Sequence, residues 1–246
     1  MIIKKQFFSL ALLLPLPLAA ANFDIHGGGG IAKFHTSNSS MMVSQSEIDT
    51  LGDPNNGWDN GIYQLGFSFF PGSAIPEPGA FNLLHTMSFQ VNAYHIAEDN
   101  FSGPVYRFGD HTLHDYNYKM NLRSTRVMAD AVFNAFSFNN LGIYGKLGVG
   151  EAWNRVDYSD YPIDGSDSSS ISIHRKTRSG VAVEAGAGVQ YNFTNGLGIS
   201  FEYLYVDMDR VRLGHASSNS CLDGIVSPTL SLESSAFLLN LHWMFA

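Results

Sequence analysis

From residue 231 the chain closes with SLESSAFLLNLHWMFA. Phe237, Leu239, Leu241, Trp243 and Phe245 recur at every second position, which in an extended strand sets them on one face. Leu238, Asn240, His242 and Met244 occupy the other. A soluble sandwich strand alternates too, but its water-facing side usually carries Lys, Glu and Thr. The same phase recurs upstream. Residues 181–193 (VAVEAGAGVQYNF) set Val181, Val183, Ala185, Ala187, Val189, Tyr191 and Phe193 against Glu184, Gly186, Gly188, Gln190 and Asn192. Residues 197–205 (LGISFEYLY) set Leu197, Ile199, Phe201, Tyr203 and Tyr205 against Gly198, Ser200 and Glu202. Thr194, Asn195 and Gly196 between them suit a three-residue hairpin loop with a glycine free to take positive φ. The hairpin predicts Phe193 beside Leu197, Tyr191 beside Ile199 and Val189 beside Phe201, which keeps every apolar residue on one side.

Five further segments read as strands: the glycine-rich 23–34, then 62–70, 85–96, 118–133 and 141–152. In 118–133 the apolar positions change phase. Tyr118, Met120 and Leu122 are even-numbered, whereas Val127, Ala129, Ala131 and Phe133 are odd, so a bulge or the membrane edge is expected near Ser124 and Thr125. Eight strands result. Shorter connections (71–83, 134–140, 194–196) alternate with long polar loops (35–61, 97–115, 154–176, 207–231). Those four loops hold 15 acids and six bases, a net charge of −9.

Composition agrees with a wall that does not face water. Of 246 residues only 15% are charged and 13% are aromatic, whereas an ordinary soluble domain carries roughly 25% charged residues. So many aromatics exclude disorder, and the formal charge of −8 argues against a nucleic-acid partner, which needs a basic face. The one cysteine, Cys221, excludes an intrachain disulfide framework. Residues 1–21 (MIIKKQFFSLALLLPLPLAAA) combine Lys4 and Lys5, an apolar run broken by Pro15 and Pro17, and a small-residue end. This predicts a Sec signal peptide cleaved near Ala21, leaving residues 22–246 as one domain with a formal charge of −10. No later stretch is apolar and long enough for a membrane helix. A closed β-barrel remains, and its alternating strands suit the mean hydropathy of −0.03.

Carried by the closing strand, the strand spacing and the Gly-rich segments YGKLGVG (144–150) and VEAGAGVQYNF (183–193), the mature chain resembles the OmpA-like and opacity-type surface proteins of Gram-negative outer membranes, barrel domain only. The resemblance implies an all-β, eight-stranded antiparallel transmembrane barrel in contact with outer-membrane lipid and lipopolysaccharide. It implies recognition of the closing strand, here Trp243 and Phe245, by the barrel assembly machinery, although Ala246 departs from a terminal Phe. It also implies surface presentation, with adhesion to a host or another surface through the loops.

Three groups of residues carry candidate chemistry. With odd positions facing lipid, Arg126, Asp130, Lys146, Glu184 and Glu202 enter a lumen that an eight-stranded barrel fills with side chains. Such charges are expected to pair as a structural ion core; the alternative is a narrow pore for small solutes. In LGHASSNSC (213–221), His215 and Ser217 with Asn219 resemble the His-x-Ser-Asn run of outer-membrane lipid A deacylases, but Ser218 intervenes and a plain polar loop is the expectation. Asp110, His111, His114 and Asp115 offer imidazole and carboxylate ligands for a metal, against the simpler reading of a solvated acidic loop. Neither catalysis nor a cofactor is expected.

Overall fold

A computed structural model describes residues 21–44, 47–52, 57–71, 87–163, 172–193, 195–212, 216–217 and 226–245. Its strands are β1 (Ala21–Ser44), β2 (Glu47–Leu51), β3 (Asn60–Pro71), β4 (Met87–Tyr106), β5 (Tyr116–Phe138), β6 (Leu141–Pro162), β7 (Ser172–Asn192), β8 (Leu197–Arg212), β9 (Ala216–Ser217) and β10 (Val226–Phe245). Eight of them pair antiparallel in chain order. The first and last then meet, β1 against β10, from Phe23 opposite Phe245 to Ser37 opposite Ser231. β2 adds to the far ends of β1 and β4, and β9 to β7. Closing β1 on β10 removes the open edges of the eight-stranded sheet, the condition for placing backbone in hydrocarbon.

Alternation decides which side chain faces where. Leu239, Leu241, Trp243 and Phe245 are exposed on the outside, Leu241 at 68%, while Leu238 and Asn240 are buried within. The β7–β8 hairpin has the register its sequence predicts: Tyr191 opposite Ile199 and Val189 opposite Phe201, with the Phe193 N–H donating to the Leu197 carbonyl at 2.7 Å and Gly196 at φ 79°. The β5–β6 connection is tighter than expected from 134–140. β5 bulges between Asn134 and Phe136, continues to Phe138, and turns on Asn139 and Asn140 alone.

Two expectations need correction. The stretches 35–61, 97–115, 154–176 and 207–231 are not simply loops, because β1, β4, β6, β7, β8 and β10 run on through them. A tilted strand needs roughly 10 residues to span a bilayer, whereas β4, β5 and β6 have 20, 23 and 22. The surplus lifts the rim about 25 Å beyond the apolar band, from ~3.3 Å of rise per residue and a ~40° tilt. Second, of the two alternatives expected near Ser124 and Thr125, a bulge or the membrane edge, β5 has no bulge there, and the phase change follows the other. Its pairing with β6 is unbroken from Tyr116 to Asn134, and even-numbered residues from Tyr118 to Val132 all face inward. What changes is the solvent. Where the outer face meets lipid it is apolar and the inner face polar; beyond the lipid the outer face turns polar and the inner face apolar. The bulge lies across the pair, in β4 between Ile96 and Asp99, after which Phe101 and Val105 point inward.

Candidate functional site: the lumen and the projecting rim

Each strand of the apolar band contributes its even-numbered side chains to the lumen, and five of these are the charges singled out from sequence. Arg126, Asp130, Lys146, Glu184 and Glu202 are all at most 3% exposed. Lys146 is the hub. Its Nζ donates to Glu202 Oε1 at 2.6 Å and to the Tyr94 hydroxyl at 2.8 Å, and lies 3.5 Å from Glu184 Oε1. The Tyr94 hydroxyl donates onward to Glu184 Oε1 at 3.2 Å, and Tyr144 donates to Glu202 Oε2 at 2.9 Å. Arg126 stacks its guanidinium over the Tyr94 ring, 4.5 Å from the centroid, and approaches Glu184 Oε2 at 3.9 Å. Asp130 accepts from Asn92 Nδ2 at 2.6 Å. Three acids meet two bases, so opposite charges screen one another where isolated ions would be very costly.

Toward the rim the lumen becomes dry. Phe34, Ile96, Phe101, Met120, Leu122 and Val206 belong to one apolar cluster, each at most 2% exposed. Among the described residues, Ser124, Asn154 and Ser234 are the inward polar side chains between this cluster and the ion network, each at most 1% exposed. Sequence reading missed this plug because its residues fall in stretches whose outward neighbours are polar.

Around the rim, outward side chains form water-facing contacts, such as Arg123 Nη2 with Glu98 Oε2 at 2.8 Å and His95 Nδ1 with Thr125 Oγ1 at 2.9 Å. Inward, Asn60 Nδ2 donates to Asp99 Oδ2 at 2.6 Å, and burial raises the Asp99 pKa from its ordinary value. Between β4 and β5, Asp110, His111, His114 and Asp115 are exposed and have separate partners. Asp110 accepts from the Thr112 amide and hydroxyl, which lower its pKa; His114 Nε2 is 3.1 Å from Asn117 Oδ1, and Asp115 faces Arg107 at 3.9 Å. Both imidazoles lie against the Tyr106 ring. His215 and Cys221 lie outside the described residues, and for Ser217 only the backbone is described, in β9 opposite Ser172. Trp243 and Phe245 project outward at the turn end of β10. At that same end, inside, Asp24, His26 and His242 form a polar group that the sequence reading did not single out. Its signal was available: all three are even-numbered residues in the first and last strands.

The sequence profile of the family described as Outer membrane protein beta-barrel domain matches residues 7–245. No curated protein matches the chain in sequence. Among solved structures, the outer membrane protease OmpT from Escherichia coli is similar with a TM-score of 0.50 and 9% identity, over 91% of this chain and 97% of that one. Ail, the attachment invasion locus protein of Yersinia pestis, has a TM-score of 0.41 and 14% identity over 92% and 99% of the two chains. Neisserial surface protein A has 0.40 and 12% over 91% and 97%. At these identities the likeness is one of fold.

Proposed function

Because the chain belongs to the Outer membrane protein beta-barrel domain family, we propose that it is an envelope-structural and surface-presenting barrel, adhesive through its rim and without catalysis. One observation carries this reading: a lumen closed by an ion network and an apolar plug, inside strands about twice as long as a membrane requires. A wall of that length presents a surface, and a plugged lumen does not conduct. In this reading residues 1–21 direct Sec export and are removed near Ala21, the residue at which β1 starts. Trp243 and Phe245 serve the barrel assembly machinery, and the outward apolar band contacts outer-membrane lipid while the rim meets lipopolysaccharide. The segments forming the rim carry 15 acids against six bases, so the fitting partner is a basic or neutral surface, and adhesion weakens as salt screens it.

The test trims the rim. Replacing residues 97–119 and 157–176 by tight turns should leave a folded, heat-modifiable barrel, while cells displaying it lose binding to epithelial monolayers that cells with the intact protein hold. Equal binding by both would overturn the adhesive reading. Discrete single-channel conductance of the intact protein in planar bilayers would overturn the closed lumen.

A further inference from the structure

The polar group at the turn end has the form of a metal site. Asp24 and His26 stand two apart on the inner face of β1, and His242 is the cross-strand partner of His26 on β10. The His26 Nδ1 is 2.9 Å from Asp24 Oδ1 and the His242 Nδ1 is 3.4 Å from Asp24 Oδ2. One ligand atom from each residue lies within 4.8 Å of the others. The two rings have centroids 5.2 Å apart and planes inclined by 27°.

The surrounding hydrogen bonds set the imidazoles up as ligands. Asn92 Nδ2 donates to Asp130, so its Oδ1 faces His26 Nε2 at 2.7 Å and also accepts from Gln64 at 3.0 Å. An amide oxygen only accepts, which puts a proton on His26 Nε2 and, in the neutral ring, turns the Nδ1 lone pair onto the Asp24 carboxylate. At that distance a proton on Nδ1 or a metal ion must lie between the two, and Ser68 Oγ is 3.3 Å from the same nitrogen. His242 Nε2 lies 2.7 Å from Ser200 Oγ, a hydroxyl that can donate or accept, and its Nδ1 points toward the same carboxylate. Hydrogen-bond partners on the far nitrogens orient metal-binding histidines in this way. A buried Asn240 Oδ1 without a hydrogen-bond partner lines the same cavity, and Ser68 Oγ is 3.3 Å from Asp24 Oδ1; both suit a water on the ion.

We propose that Asp24, His26 and His242 bind one divalent first-row transition ion, Zn²⁺ in the first instance, which clasps the seam between the first and last strands. Two nitrogen ligands and one carboxylate favour such an ion over Ca²⁺ or Mg²⁺, which take oxygen. The barrel, refolded in detergent and stripped with chelator, is titrated with Zn²⁺ by calorimetry and with Co²⁺ by visible absorption. The expected result is one ion per chain, a ligand-field band of tetrahedral type, and a folding equilibrium shifted about 100-fold at a metal concentration 100 times Kd. Asp24→Asn and His242→Gln should each abolish the shift, while His111→Ala/His114→Ala should keep it. His242 is partly exposed, so His242→Gln serves if Asp24→Asn does not fold. No stoichiometric binding by the native chain would overturn the proposal, as would binding that survives His242→Gln or disappears with the two exposed histidines.

Discussion

Lys146→Met is the sharpest perturbation of the lumen. Methionine approximates the length of the lysine stem and fills the same space, so the change removes charge and hydrogen bonds with little loss of packing. Two short donations vanish, to Glu202 Oε1 at 2.6 Å and to the Tyr94 hydroxyl at 2.8 Å, together with the 3.5 Å approach to Glu184. Asp130, Glu184 and Glu202 then face Arg126 alone. Removing one partner of a buried ion pair costs roughly 3–5 kcal/mol, mostly through the charge left without compensation. Glu202→Gln added to Lys146→Met withdraws that charge while Tyr144 still has an acceptor at position 202, and about 2 kcal/mol should return as coupling between the two sites. The assay is equilibrium unfolding in urea in lipid vesicles, read by tryptophan fluorescence and by heat-modifiable migration, with wild type, both single variants and the double. A cost below about 1 kcal/mol for Lys146→Met would mean that water solvates the network. A double variant as unstable as the two single costs added together would mean that Lys146 and Glu202 do not share a low-dielectric space. Either result refutes the dry, paired lumen.

Three further outcomes follow from the same structure. Leu65, 65% exposed on the apolar band, should cost about 2–4 kcal/mol when changed to Arg in lipid, whereas Thr177→Arg on the rim should stay within about 0.5 kcal/mol; equal costs would misplace the membrane. A Cβ on Gly30 would run into the Phe237 carbonyl oxygen, at the seam, while one on Gly27 meets nothing nearer than 3.5 Å. Gly30→Ala should therefore lose about 1–3 kcal/mol or fail to close, and Gly27→Ala should migrate as native on unheated gels. Burial raises the Asp99 pKa, so the native state holds that proton more tightly than the unfolded chain; this contribution is complete below the usual carboxylate pKa of roughly 3.9 and fades as pH rises through the folded value. Asp99→Asn keeps an acceptor for Asn60 and removes the ionisation, so its unfolding midpoint relative to wild type should be higher at neutral than at acid pH. A pH-independent difference would contradict a raised pKa.

Much of the wall was legible because a strand's side-chain period is local. Val181 to Tyr191 and Leu197 to Tyr205 alternate without help from distant residues, and the Gly196 turn sets their register. Where the solvent changed, the same rule left a bulge and the membrane edge as alternatives. In β5 the apolar phase moves from odd to even between Phe133 and Tyr118 with no break in its pairing to β6. The cause is that water replaces lipid outside, so hydrophobic residues move to the inner face. Polar outward residues likewise disguised the long extensions of β4 and β6 as loops.

Sequence alone determined that the chain forms a barrel, which residues face lipid, and that five charges occupy inward positions. It did so because the bilayer imposes one requirement on every strand, an apolar outer face with all backbone groups paired. Only the closed ring decided which inward residues meet. Lys146 reaches Glu202 across 56 positions, and Asp24 on the first strand reaches His242 on the last. Those encounters depend on how the strands stagger around the circumference, a property of closure that no single strand carries.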